Sequence, residues 1–396
     1  MHIVISKEFF PRIGGAHLWL YEVYRRWPSK IWFVTTSYIE DPEEARNQKA
    51  FDSLNHGSID IIRANSSLEK INLFDWSCLK RYYADVMRIS KIAGNAFTYL
   101  HCCRAVPEGF TGLLFKRLRP GSSTLVTYAH GEEILVARTS RQLKFMAWLA
   151  YSGSDFIIAN SENTKNLVKK MCPRAKVVCI HPGVDSAAFA QAKADRGAYR
   201  LQCEWPVETI VVSTMARMEA RKNHAAVIKA IKDLRQEGLP LAYVCGGDGE
   251  DRHKLIALVR DIGLQDWVRF TGTINDQEKK AIYAASDIYA MPSVQCGPMI
   301  EGFGIAFLEA AAAGVPSICG NTGGQPEAVL HGITGLVVNG TILEDVKNAI
   351  RVLAENEVLR AQMGREGVKW ALEHDWAKVV EKTFSAIGAL DGKSLN

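Results

Sequence analysis

The sequence predicts an α/β protein of two Rossmann-like domains with parallel sheets, on three observations. A chain of 396 residues exceeds what one hydrophobic core ordinarily supports, so two domains of roughly 150 to 200 residues are expected. Short β-branched runs alternate with helical stretches along the chain, as βαβ units do. Each half opens on a strand that runs into a loop and then a helix: HIVIS into PRIGGAH after His2, and ETIVVST into MARMEARKNH after Glu208.

Composition narrows the class. Hydrophobic content of 47% with 23% charged residues is that of a soluble globular protein. No apolar run reaches about 18 residues, so no membrane-spanning helix is expected. The N-terminal MHIVISKEFF is too short in apolar residues for a signal peptide and reads as the first strand. Nine cysteines, with Cys102 beside Cys103 and no C-x-x-C, read as reduced cytosolic thiols and imply neither a disulfide framework nor a zinc site. Residues 1–185 hold 25 Lys and Arg against 17 Asp and Glu, whereas residues 186–396 hold 23 against 26, so the first domain carries the whole positive excess. That excess is compatible with an anionic membrane surface, a lipid-phosphate acceptor, nucleic acid or a merely solvated basic face.

In chain order, His2–Ser6 is a strand, Lys7–Gly15 a loop and Ala16–Trp27 a helix. The turn PRIGGAH lacks G-x-G-x-x-G, which argues against a dinucleotide site, while Gly14 and Gly15 permit close backbone approach to a ligand. Ile31–Thr35, Ile59–Ile62 and Phe97–Leu100 read as strands. Leu79–Ala93, Gly112–Arg119 and Arg138–Tyr151 interleave Lys or Arg with large apolar residues at helical spacing, the composition of a peripheral membrane contact as well as of ordinary amphipathic helices. Strand Ser123–Ala129 delivers His130 at its carboxyl end, where open α/β sheets bind ligands. Phe156–Ala159 and a helix capped by Ser161 follow, and the first domain ends at Asp185. Residues 186–206 break the strand pattern and read as a linker.

Strand Glu208–Thr214 opens the second domain, 207–375. Arg217 and Lys222 then fall on a loop and helix start, where the helix dipole prefers anions, a conflict that a bound anion removes. Strands Leu241–Cys245 and Val268–Gly272 lead to the turn holding Gly247 and to Thr273-Ile274. Between Asp287–Met291 and the strand Ser317–Cys319 lies the segment richest in chemistry: Glu301, Gly302, Phe303, Gly304 and Ile305, then Glu309 on the first or second turn of a helix ended by Gly314 and Pro316. Backbone N–H groups unsatisfied at that helix start suit a phosphate or a sugar hydroxyl, and ionised carboxylates suit hydroxyl donors.

Glu301 and Glu309, with seven residues between them before Gly-Val-Pro, resemble the E-x7-E element of retaining glycosyltransferases of the GT-B fold, family four, among them the phosphatidylinositol mannosyltransferases. His130-Gly131-Glu132-Glu133 resembles that family's H-G-x-E element, Arg217 to Lys222 its R-x-x-x-x-K element with Asn223 where glycine is common, and Gly246–Glu250 its G-x-G loop. The resemblance implies sheets facing across a cleft, an acceptor-binding domain at 1–185, a donor-binding domain at 207–375 and a last helix, 376–396, that packs back on the first domain. It implies that His130, Arg217, Lys222 and Glu301 are catalytic. It further implies that Gly14, Gly15, Gly247, Thr273, Ile274, Gly302, Phe303, Gly304, Ile305 and Glu309 bind a nucleotide-diphosphate sugar. The donor, GDP-mannose or a UDP-hexose, is a substrate, and no further cofactor is expected. No D-x-D occurs, so metal-independent transfer is expected. The acceptor expected is a glycan or lipid-linked glycan in polysaccharide biosynthesis, with the protein cytoplasmic at the inner membrane face and no nucleic-acid partner. A sugar-nucleotide epimerase of the same fold would need carboxylates in the first domain, and a Rossmann oxidoreductase would need the absent glycine fingerprint.

Overall fold

The computed structural model describes residues 1–12, 14–37, 41–64, 75–191 and 196–389. In order the elements are β1 (His2–Ser6), α1 (Gly15–Arg25), β2 (Ile31–Thr36), α2 (Pro42–Asp52), β3 (Ile59–Ala64), α3 (Trp76–Ala93), β4 (Thr98–Cys102), α4 (Phe110–Leu118), β5 (Ser123–Ala129), α5 (Glu132–Ala137), α6 (Arg141–Gly153), β6 (Phe156–Ala159), α7 (Glu162–Met171), β7 (Val177–Cys179), α8 (Ser186–Gln191) and α9 (Arg196–Cys203). The rest are β8 (Ile210–Met215), α10 (His224–Gln236), β9 (Leu241–Gly246), α11 (Arg252–Asp261), β10 (Val268–Gly272), α12 (Asp276–Ala285), β11 (Ile288–Met291), α13 (Ile305–Ala312), β12 (Ser317–Gly320), α14 (Gln325–Ala328), β13 (Gly335–Val338), α15 (Leu343–Glu355), α16 (Glu357–Glu373) and α17 (Trp376–Gly388).

The chain divides into two units, Met1–Pro182 with Trp376–Asn396, and Gly183–Asp375. The first is built on a seven-stranded parallel sheet in the order β3-β2-β1-β4-β5-β6-β7, and the second on a six-stranded parallel sheet in the order β10-β9-β8-β11-β12-β13. In both, the first strand of the unit lies inside the sheet and the order reverses beside it, between β1 and β4 and between β8 and β11. Loops leaving the carboxyl ends of the strands diverge there and leave room for a ligand. Helices cover both faces, which is why strands such as Leu241–Gly246 are buried at every residue instead of alternating.

Residues 186–206, read above as a linker, contain two helices that belong to the second unit, and the break falls at Pro182–Gly183, before Asp185. The side chains explain this. Phe189 of α8 is buried against the ring of Tyr283, and Arg200 of α9 donates to the carbonyls of Ala285 (2.9 Å) and Thr209 (3.0 Å) and pairs with Asp287. Returning to the first unit, α17 packs on α1, with Phe384 edge-on to Trp27 at 5.2 Å.

The helix that follows Gly304 owes its position to α16. Gly364 lies so near the turn after α13 that a β-carbon there would stand 2.3 Å from the carbonyl oxygen of Gly314, and Gly367 faces Ala311 at 3.4 Å. Two small faces therefore let the helices meet backbone to backbone. Gly364→Ala is expected to lower stability by about 1–3 kcal/mol through overpacking, measured as a fall in the urea midpoint; an unchanged midpoint would show that α16 can shift freely.

Candidate functional site

In the second unit the functional side chains hang on loops at the carboxyl ends of β8, β11 and β12. Arg221 and Lys222 occupy a short turn, Ala220–Lys222, and both are buried. Asn223, next in sequence, takes the left-handed conformation (φ 63°), and its amide donates to the carbonyls of Pro292 (3.1 Å) and Gly340 (2.7 Å). Asparagine tolerates this conformation better than most residues, and here it also pins the turn to the loop after β11. Its standing where glycine is common therefore has a structural cause.

Lys222 donates its ammonium proton to Oε2 of Glu301, and Arg221 reaches the same oxygen at 3.1 Å. Arg221 also donates to Glu219 at 2.9 Å, and Glu219 pairs with Arg217 at 2.7 Å. The result is an alternating chain, Arg217–Glu219–Arg221–Glu301–Lys222, with one positive charge in excess. Burial pushes the Glu301 carboxyl up, but Lys222 and Arg221 together outweigh it and hold the group below the usual carboxylate range. Oε1 of Glu301 takes no hydrogen bond from the described residues. Arg217 lies at the outer end of this chain with its side chain 66% exposed, and Arg221, which the sequence reading passed over, takes the buried place beside Lys222. The signal was present: of the two basic residues 221 and 222, a short turn can bury both only beside a carboxylate.

The loop carrying Glu301 ends in Gly304, whose φ of +95° caps α13, and a β-carbon there would collide with the Phe307 ring at 2.6 Å. Gly302 and Ile305 flank this turn, with Ile305 the first helical residue. Phe303, expected in the donor set, has its side chain 2% exposed and packed in the core, so only its backbone can face a ligand. Glu309 lies on the second turn, where Lys279 donates to Oε1 (2.8 Å) and Tyr283 to Oε2 (3.0 Å). From the far side, Gly324 donates its N–H to the Glu301 carbonyl at 3.0 Å, and Gly323, at φ +68°, passes so close that a β-carbon would stand 2.1 Å from that oxygen.

Gly247 (φ +124°) and Gly249 approach their own chain: β-carbons there would stand 2.3 Å from the Ala216 carbonyl and 2.6 Å from that of Met218. The glycines after β9 thus let that loop lie against the one bearing Arg217. Thr273 is exposed, and Ile274 is half-buried against the core.

In the first unit, Gly14 and Gly15 form the turn into α1, and His130 follows β5. Nε2–H of His130 donates to the Cys103 carbonyl at 2.7 Å, and the ring stands edge-on to Trp19. Burial, then the Arg104 charge, lower its pKa to about 4, so the ring is neutral at pH 7. Its backbone N–H donates to Glu133 at 2.8 Å. Two unforeseen residues join it. Arg104, after β4, donates to Nε2 of His17 at 3.3 Å, and burial, followed by Arg104, likewise lowers His17 to about 4. His130, His17 and Arg104 come from the ends of β5, α1 and β4, and no sequence spacing relates them.

Two parallel-sheet Rossmann-like units, each with its polar side chains gathered at the sheet's carboxyl edge, define the GT-B class of glycosyltransferases. Solved structures similar to this one agree on the fold. HepE of Anabaena, in complex with UDP and glucose, superposes with a TM-score of 0.79 over 98% of this chain and 99% of its own at 18% identity. The sucrose-phosphate synthase of Thermosynechococcus elongatus gives 0.80 over 99% of both at 17%. The profile described as "Glycosyl transferases group 1" matches residues 195–370, and that described as "Glycosyltransferase Family 4" matches 13–188. The GDP-mannose-dependent alpha-(1-6)-phosphatidylinositol monomannoside mannosyltransferase of Mycobacterium tuberculosis is 33% identical over 93% of this chain and 92% of its own. The Corynebacterium glutamicum enzyme that is GDP-mannose-dependent and acts on the monoacylated monomannoside is 33% identical over 95% and 94%. The chain belongs to the group 1, family 4 glycosyltransferases.

His224, the first residue of α10, borders the Lys222 turn. Burial holds it at about 4, with Nδ1 3.1 Å from the Tyr243 hydroxyl. Its pKa in the folded protein is below the unfolded value near 6.5, so acid favours the unfolded chain: the stabilisation is full above about pH 6.5 and is lost as pH falls toward 4. Between pH 7 and pH 5 the wild type should lose about 2 kcal/mol more than His224→Gln, read from urea melts at each pH. Parallel losses in the two proteins would contradict the burial of a neutral ring.

Proposed function

We propose that this glycosyltransferase moves mannose from GDP-mannose to a mannosylated inositol phospholipid or a closely related glycolipid, with retention at the anomeric carbon and without a metal ion. The observation that carries the reading is the buried Glu301 carboxylate shared by Lys222 and Arg221, in a loop cluster with one positive charge in excess. The GDP-mannose dependence of relatives aligned over more than nine-tenths of the chain supports the choice of donor.

In this reading Lys222, Arg217 and Arg221 neutralise the departing diphosphate, aided by N–H groups at Gly304 and Ile305. Preorganised donors of this kind are each worth on the order of 3 kcal/mol of barrier. Oε1 of Glu301, with the Gly302 backbone beside it, accepts from hydroxyls of the sugar. Glu309 accepts from the ribose. The loops at Gly247 and Thr273-Ile274 border the base. Neutral His130 positions the sugar. The acceptor hydroxyl attacks the anomeric carbon on the face that the leaving oxygen vacates; the new C–O bond forms as the bond to phosphate breaks, and the hydroxyl proton passes to the departing diphosphate.

Contact with a membrane surface fits the first unit. No helix among the described residues is long and apolar enough to cross a membrane. Yet α3, α4 and α6 pack side by side, and they expose Trp76, Tyr83, Met87, Leu118, Phe145 and Trp148 among Lys80, Arg81, Arg117, Arg141 and Lys144. Apolar side chains set among cations suit an anionic lipid interface.

Two measurements test the proposal. Lys222→Ala should cut transfer from GDP-mannose to phosphatidylinositol monomannoside by roughly 100-fold or more while leaving the far-UV spectrum intact; full activity would remove Lys222 from the site. In flotation with vesicles of phosphatidylglycerol and phosphatidylcholine, the wild type should float and a Trp76→Ser, Tyr83→Ser, Phe145→Ser, Trp148→Ser variant should not. Equal flotation of both proteins would assign that face to solvent.

A further inference from the structure

We propose that Lys279 and Tyr283 are positioning residues that turn Glu309 into a fixed two-site acceptor for the paired hydroxyls of a ribose. The inference rests on the proposed function, which puts a nucleoside diphosphate in the second unit, and it adds what makes that site choose ribose.

Three side chains from two helices carry the argument. Glu309 is buried at 7% exposure on α13, where an unpaired carboxylate would be unfavourable. Lys279 and Tyr283, four residues apart and so on one face of α12, each take one of its oxygens, at 2.8 and 3.0 Å. A carboxylate offers about four lone-pair positions. One is filled on each oxygen, leaving one on each, and the two that remain match the two hydroxyls of a vicinal diol. Tyr283 is itself held: it is fully buried, and its hydroxyl also lies 3.2 Å from the Ala306 carbonyl in the first turn of α13. Lys279 is anchored from three sides, by Glu309, by Asp276 at 3.5 Å and by the Phe189 ring at 5.6 Å. Burial lowers the Lys279 pKa, but the adjoining carboxylates outweigh it and raise the net value, so the ammonium keeps its charge. Neither residue needs to touch the ligand. Without either contact, the carboxylate would be free to rotate and its two open acceptor positions would no longer be fixed.

The test is calorimetry with GDP, UDP and ADP and the 2′,3′-dideoxy form of whichever binds. The wild type is expected to bind the ribo form at least about tenfold more tightly than the dideoxy form, since hydroxyl bonds to a charged acceptor are among the stronger ones. Lys279→Met should bring that ratio to within about threefold, as Glu309→Gln does, and Lys279→Arg should restore most of it. Tyr283→Phe gives the same comparison should Lys279→Met not fold. A ratio unchanged in folded Lys279→Met or Tyr283→Phe overturns the inference and leaves the proposed function standing. A wild type that binds all ribo and dideoxy forms alike overturns the inference at Glu309 itself. A wild type that binds none of the three nucleotides overturns both.

Discussion

Glu301 ties the second unit's loops together. Three segments that leave different strands meet at this residue: the turn after β8 through Lys222 and Arg221 on its carboxylate, its own loop after β11, and the loop after β12 through Gly323 and Gly324 at its backbone carbonyl. A buried acid costs stability unless it is paired, and here two buried cations depend on it in turn. Removing Glu301 would strand two buried cations at once, so this one side chain holds the loops in one arrangement.

The sheet order makes that convergence possible. With β8 inside the sheet and the order reversing between β8 and β11, the loops after these strands open away from each other, and the crevice between them receives α13's first turn. Gly304 lets the chain turn sharply enough to start that helix just after Glu301, and the glycine face of α16 presses the helix into place from behind. Glu301 and Glu309 thus belong to one rigid piece, although one lies on a loop and the other on a helix.

Much of this was legible in the sequence, for reasons that differ by element. Strands buried on both faces announce themselves as apolar, β-branched runs, and Ser123–Ala129 falls where the sequence puts it. The helix after Gly304 shows through its alanine-rich run and its Gly-Val-Pro ending. Residues 186–206 misled because a short helix anchored by Phe189 and Arg200 has too few apolar positions to display a period. Which way Phe303 faces could not be read from its place in the segment, and the core takes its side chain. Arg221, Arg104 and His17 could not be read from spacing at all, since each meets its partners through the fold. Gly247 was placed correctly on a turn, but the close approach it permits is to the chain's own Ala216.

The most direct measurement of the central claim is a crystal structure of the protein with GDP-mannose bound. The account places the diphosphate within hydrogen-bond reach of Lys222 and of the N–H groups at Gly304 and Ile305, with sugar hydroxyls on Glu301. A diphosphate bound elsewhere, with Lys222 and Arg221 still closed on Glu301 and facing no ligand, would contradict it.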